Sequence, residues 1–166
     1  MIIGIIQARM GSSRLPGKVL KKVMGKPVLK YMVERIKQSK LIDKIVIATG
    51  DKEDNQPIVD FCKENKIDCY VGSEEDVLDR YYQTAKQHQA QTIVRMTGDC
   101  PLIDPTIVDK VVNYFKDNEF DYVGTGIEQT FPNGLNTEVF SFQALERSWK
   151  LALGSPQREH VTLFIK

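Results

Sequence analysis

Apolar positions along the chain recur in two alternating periods. Ile2 to Ile6 is a short run of β-branched residues around one glycine, the pattern of a strand buried on both faces. Behind Pro27, a residue suited to the first helical position, Val28, Leu29, Met32, Val33 and Ile36 fall at helical spacing. The cycle then repeats. Residues 44–49 read as a strand ending in Thr49-Gly50-Asp51, and Pro57 opens a helix carrying Ile58, Val59, Phe61 and Cys62. Residues 68–71 read as a short strand stopped by Gly72-Ser73. Val77, Leu78, Tyr81 and Ala85 line the helix that follows, with Ser73 and Asp76 spaced as a capping box. Residues 92–97 form the next strand, and Asp104 can cap a helix beginning at Pro105 with Ile107, Val108, Val111, Val112 and Phe115 inward. Such alternation predicts a mostly parallel sheet with helices on both faces.

The pattern changes after Asp117. Tyr122-Val123 suggests a strand, GTGIEQTFPNG (124–134) is loop-like, and 137–142 reads as a strand that runs antiparallel. Leu145, Trp149 and Leu153 take core positions on a helix, and Ser155-Pro156 opens a last one. No repeat, low-complexity stretch or linker interrupts the chain, so residues 1–166 are expected to form a single α/β domain.

Composition narrows the partners. With 42% hydrophobic and 27% charged residues among 166, the chain reads as a soluble globular domain. Lys and Arg total 23 against 22 Asp and Glu, so the net charge of +1 makes no global case for nucleic acid or membrane binding. Any anion site must be local. Cys62, Cys69 and Cys100 are odd in number and lack CxxC spacing, which fits a reducing cytoplasm. Met1 precedes a strand-length apolar run with no basic region, unlike a signal peptide, and no run approaches the ~18 residues of a membrane span.

The stretch QARMGSSRLPGKVL (7–20) leaves the carboxyl end of the first strand, where open α/β sheets bind ligands. Gly11, Ser12, Ser13 and Gly17 allow close backbone approach, while Arg9, Arg14 and Lys18 place three cations within ten residues. That combination suits a triphosphate, and a solvated surface turn is the alternative. A Walker A loop is excluded. Five residues separate Gly11 from Gly17-Lys18, Val19 stands where a Ser or Thr hydroxyl is needed, and Pro16 lacks an N–H. No GxGxxG is present either. Asp99, after Gly98 at a later strand end, suits either a turn or Mg²⁺ held against phosphate oxygens. Cys100 reads as a packing residue and His88 as solvated.

Ala8, Arg9, Ser12, Arg14, Pro16, Gly17 and Lys18 resemble, without a gap, the N-terminal signature of the cytidylyltransferase family that activates acidic sugars, which includes the Kdo and acylneuraminate cytidylyltransferases. Within it the likeness is greatest to the spore coat polysaccharide biosynthesis protein F group. The resemblance implies a three-layer, Rossmann-like nucleotide-diphospho-sugar transferase fold. It also implies CTP as donor, Mg²⁺ as cofactor, and transfer of CMP to an acidic sugar with release of pyrophosphate.

By the same resemblance, Arg9, Lys18 and Asp99 form the catalytic set, with Asp99 in RMTGDCPLIDP as the Mg²⁺ aspartate. Arg9, Arg14 and Lys18 hold the β- and γ-phosphates; Gly11, Ser12 and Ser13 shape the nucleotide cradle; backbone groups of Ala8 and the Thr97 region read cytosine. Ser73, in GSEEDVLDRY, lies near the nucleotide in relatives, although capping explains it too. For the sugar, the matching residues are Asn136, Glu138, Arg158 and His160. Asn136 departs from an expected Asp and also reads as a turn residue, and His160 also reads as a structural helix residue. The family continues for several tens of residues to a second Mg²⁺ carboxylate, so this chain is expected to lack that segment. Relatives dimerise through the region matching 120–150, where Phe120, Tyr122, Phe131, Phe140 and Phe142 lie. Rival readings are a UTP- or GTP-dependent sugar nucleotidyltransferase, a glycosyltransferase, or a non-catalytic nucleotide- or sugar-binding module.

Overall fold

The β-branched run at the N-terminus forms β1 (Ile2–Gln7), and Ile3, Ile5 and Ile6 within it are fully buried. Burial on both faces requires strands at each side and helices above and below. The computed structural model, which describes residues 1–126 and 131–166, supplies both. The elements that follow are β2 (Lys22–Val23), β3 (Lys26–Pro27), α1 (Val28–Ile36), β4 (Lys44–Gly50), α2 (Gln56–Glu64), β5 (Asp68–Gly72) and α3 (Val77–Gln87). After them come β6 (Thr92–Thr97), α4 (Pro105–Lys116), β7 (Tyr122–Gly124), β8 (Glu138–Ser141), α5 (Phe142–Leu151) and α6 (Ser155–Glu159). Six strands make one sheet in the order β5-β4-β1-β6-β8-β7. β5, β4, β1 and β6 are parallel, and β8 runs antiparallel to both β6 and β7. The fold is the expected mixed α/β arrangement, a mostly parallel sheet with an antiparallel return late in the chain.

Alternate side chains on each strand point to opposite faces. Ile6, Ile47, Val94 and Val139 pack with α1, α2 and α4, whereas Ile3, Ile5, Ala48, Ile93 and Phe140 pack with α3 and α5. Helices α1 to α4 bury the apolar stripes that the spacing predicts, and Asp104 caps α4 by accepting from Thr106 N at 2.8 Å.

Several local expectations are corrected. Pro27 closes a two-residue hairpin, β2 with β3, before α1 begins at Val28. The turn residues Met24 and Gly25 have φ of 48° and 80°, the left-handed pair that a tight two-residue hairpin requires. Ser73 does not cap α3. Asp76 does, accepting from Asp79 N at 2.9 Å, while Ser73 Oγ accepts from Asp76 N at 2.9 Å in the turn before it. Leu153 is not a core residue: α5 ends at Leu151, Ala152 turns inward, and Leu153 is 93% exposed.

The aromatic set expected at a dimer face also divides. Phe140 is fully buried, Phe142 stacks on Tyr82 at 5.7 Å, and Tyr122 is partly buried against the core. Phe120 is exposed and stacks on Tyr114 at 5.9 Å. Of the loop-like stretch 124–134, residues 127–130 lie outside the described residues.

Candidate active site

β1 and β6 are adjacent, with Gln7 opposite Thr97, so their loops leave the sheet at the same edge. Gly98 N donates to Gln7 O at 2.8 Å. A Cβ at Gly98 would come within 3.1 Å of both Ala8 Cβ and Gln7 O, so only glycine lets the two loops touch without displacement.

The basic loop folds onto itself. The Met10 carbonyl accepts from Ser12 N at 2.8 Å and from Gly17 N at 2.9 Å, while Met10 N donates to Asn55 Oδ1 at 2.9 Å. Gly17, at φ 68°, turns the chain into a short 3₁₀ turn over Lys18–Leu20, and Val19 from that turn is buried in the core. Lys18 therefore rides on an anchored turn, and Arg14 stands on the exposed tip.

A cavity of about 270 Å³ opens between the loops. Arg9, Ser12, Ser13, Arg14 and Lys18 bound one side, Thr97 and Asp99 the other, with Gln7 and Ala8 beneath. The Lys18 ammonium and the Asp99 carboxylate form an ion pair across it. Burial pushes Asp99 upward, but hydrogen bonds with Lys18 and Thr97 outweigh that and hold it below the usual carboxylate value. Asp99 is thus anionic at neutral pH. Arg9 and Arg14 make no ion pair or hydrogen bond among the described residues, which leaves both guanidinium groups available to an anion.

The donor set limits how a metal could bind. Among the described residues no group of three or more His, Cys, Asp or Glu side chains is placed to hold one. A single carboxylate suits Mg²⁺ when phosphate oxygens and waters complete its shell. Asp99 therefore fits a divalent cation that arrives with a polyphosphate, and the chain builds no self-contained metal centre among the described residues.

Other expected site residues disperse around this cavity. Gly11 borders a neighbouring space of about 210 Å³ with Asn55 and Glu74, and Arg9 reaches both. Ser73 lies in the turn before α3, where its carbonyl accepts from the Arg80 guanidinium at 2.9 Å, and it does not line the 270 Å³ cavity. Asn136 is exposed just ahead of β8.

Glu138 is buried and fully engaged. It pairs with Arg95, accepts from Tyr122 Oη at 2.7 Å and Thr162 Oγ1 at 3.1 Å, and meets Lys166 Nζ at 2.8 Å. Burial would raise its pKa, yet the Arg95 charge and these hydrogen bonds bring it down to about 2. Arg158 pairs with Asp76 at 2.6 Å and donates to the Trp149 carbonyl at 2.9 Å, tying α6 to α3 and α5. His160 is exposed at the end of α6 and borders a second cavity of about 180 Å³.

Gln7, Arg80 and Arg95, which line that second cavity, lie in the quoted segments but carry no assigned role in the sequence reading. The available signal was Arg95 itself. An arginine inside a strand between Val94 and Met96 is held largely away from water, so it needs a partner or a ligand.

The cytidylyltransferase family profile matches residues 3–166. The chain is 47% identical over 164 residues to an uncharacterised protein of Methanocaldococcus jannaschii, which covers 99% of the chain. It is 39% identical over 170 residues to spore coat polysaccharide biosynthesis protein SpsF of Bacillus subtilis, again covering 99%. A third relative, the 3-deoxy-manno-octulosonate cytidylyltransferase of Chlamydia trachomatis, is 33% identical over 142 residues and covers 82%. The chain spans 66%, 70% and 54% of the lengths of these proteins in turn. Among solved structures, a cytidylyltransferase from Leptospira borgpetersenii superposes with a TM-score of 0.94 at 34% identity, covering 99% of this chain and 70% of that one.

Proposed function

We propose that this chain, which belongs to the cytidylyltransferase family, binds CTP with Mg²⁺ and transfers CMP to a hydroxyl of an acidic sugar, releasing pyrophosphate. The observation that carries the reading is the convergence of Arg14 and Lys18 with Asp99 on one cavity, over the carboxyl ends of β1 and β6. One turn supplies fixed cations for phosphate oxygens, and the other supplies the carboxylate that a phosphate-bound divalent ion requires.

In the transfer, the acceptor oxygen bonds the α-phosphorus and gives up its hydroxyl proton to solvent water, the bond to the bridging oxygen of the β-phosphate breaks, and pyrophosphate leaves with that electron pair. Arg9, Arg14 and Lys18 hold the β- and γ-phosphates and stabilise the charge that grows on the leaving group. Asp99 would hold Mg²⁺, which would supply neutralisation of phosphate charge. Ala8 and Thr97, which both line the cavity, offer backbone groups to the base. No covalent nucleophile is needed, because positioning and charge stabilisation account for catalysis of this type.

The acidic acceptor and a role in surface or spore coat polysaccharide synthesis are supported by the similarity to SpsF and to the 3-deoxy-manno-octulosonate enzyme. A cytoplasmic location belongs to this same reading; separately, among the described residues no helix is long and apolar enough to cross a membrane. A homodimer through 120–150 is supported by the exposed Phe120, whose ring stacks on Tyr114 of α4 beside that stretch. The test is pyrophosphate release from CTP, UTP, GTP and ATP with a panel of acidic sugars. CTP-specific release that needs both Mg²⁺ and an acid supports the reading. Release from UTP or GTP in preference to CTP, or CTP binding without release for any acid, contradicts it.

A further inference from the structure

The 180 Å³ cavity adjoins the proposed phosphate site and shares Gln7, Ala8 and Arg9 with it. It lies where the inner row of the sheet changes character. On the face toward α3, β1 runs Ile3, Ile5, Gln7; β6 runs Ile93, Arg95, Thr97; and β8, antiparallel, places Glu138 opposite Arg95 beside the buried Phe140. The apolar row thus becomes polar at the carboxyl ends of the parallel strands, and Arg80 of α3, 2% exposed, closes it from above.

This wall holds unmet hydrogen-bonding capacity. The Nε of Arg80, the Nε of Arg95 and the Oε1 of Gln7 are all buried without a partner. An unpaired buried polar group is unfavourable, and three around one cavity point to a ligand with acceptors for the two guanidinium N–H groups and a hydroxyl that donates to Gln7 Oε1. The guanidinium groups are also held in place. Arg95 pairs with Glu138 and lies 5.9 Å from the Tyr81 ring centre, and Arg80 donates to the Ser73 carbonyl. With Arg9 they bring three cations against two carboxylates, Glu159 at the cavity and Glu138 on Arg95, an excess of one positive charge.

We propose that this cavity receives the carboxylate of the acceptor sugar, bound by Arg80 and Arg95, with Glu138 as the positioning residue that holds Arg95. The inference rests on the proposed transfer to an acidic sugar and names where that acid group is read. Two fixed guanidinium donors suit a planar carboxylate, and the first cavity already has its own cations for the triphosphate. The shared wall matters equally. A sugar anchored here presents a neighbouring hydroxyl across Gln7 and Arg9 to the α-phosphate, as in-line transfer requires.

The experiment compares calorimetric binding of N-acetylneuraminate and 3-deoxy-manno-octulosonate with that of their methyl esters, for wild type, Arg95→Met and Arg95→Lys, at saturating Mg²⁺ and a CTP analogue whose α,β-bridging oxygen is replaced by methylene so that no transfer occurs. At least one free acid binds wild type more tightly than its ester. Arg95→Met weakens that acid roughly ten- to a hundred-fold, the loss expected of one charge-assisted contact, while CTP affinity measured without sugar stays within about two-fold. Arg95→Lys keeps the charge and recovers part of the loss. Equal binding of acid and ester by wild type overturns the proposal without any variant, even if Arg95→Met does not fold. A fall in CTP affinity in Arg95→Met with acid binding unchanged overturns it too, and assigns the cavity to the base. Failure of wild type to bind CTP at all refutes the proposed function instead.

Discussion

Lys18 and Asp99 sit on turns that leave different strands, 81 positions apart, and their side chains meet across the cavity. Removing either separates two roles. Lys18→Ala lowers CTP affinity by about 1.5–3 kcal/mol, the loss of one charge-assisted contact, and calorimetry at constant salt measures it. Asp99→Asn abolishes Mg²⁺-dependent turnover and leaves the denaturation midpoint close to wild type, because the side chain is 37% exposed and serves no core contact. Unchanged Mg²⁺ dependence in that variant removes Asp99 from the metal role. Both residues were legible in the sequence, since a glycine-rich basic loop and a Gly-Asp turn at strand ends declare themselves by composition. Their pairing was not, because spacing carries no distance between separate turns. Arg95 escaped for a different reason: periodicity sorts positions into faces, but it does not say which face of a central strand is capped by a cavity instead of a helix.

At the scale of elements, the two loops depend on a close approach of backbone to backbone. Gly98→Ala forces a Cβ to 3.1 Å from Gln7 O, which is backbone and yields little. The variant loses roughly 1–3 kcal/mol of stability by denaturant titration and binds CTP more weakly, because Ala8 and the basic loop are displaced together. A wild-type affinity in Gly98→Ala shows that the contact does not set the site. The regular helices were readable because their apolar stripes and the Asp104 cap are local signals. Element ends were less so. Leu145, Trp149 and Leu153 keep helical spacing on paper, but Ala152 takes extended backbone, with φ −71° and ψ 115°, and ends α5 before Leu153 is reached, while Pro156 helps open the separate helix α6. The hairpin of β2 and β3 hid because each strand is two residues long, too short for any period.

For the whole molecule, the parallel half of the sheet follows from alternation of strand and helix, whereas the pairing of β8 between β6 and β7 is a long-range choice that no local pattern encodes. Glu138 secures that pairing, linking Arg95 of β6, Tyr122 of β7 and Lys166 at the end of the chain. Its folded pKa of about 2 lies below the ordinary 4.5, so its contribution is complete above pH 4.5 and is lost as pH falls toward 2. Across that window wild type loses about 3 kcal/mol more unfolding free energy than Glu138→Gln, by denaturant titrations at stepped pH. Parallel curves for the two proteins exclude the linkage. The central claim, that the basic turn and the acidic turn grip one nucleotide with its divalent ion, is tested most directly by a crystal structure of the protein soaked with CTP and Mg²⁺. The account predicts triphosphate density against Arg14 and Lys18 with a metal bound to Asp99. A nucleotide bound elsewhere, or a triphosphate in the cavity whose metal does not touch Asp99, contradicts it.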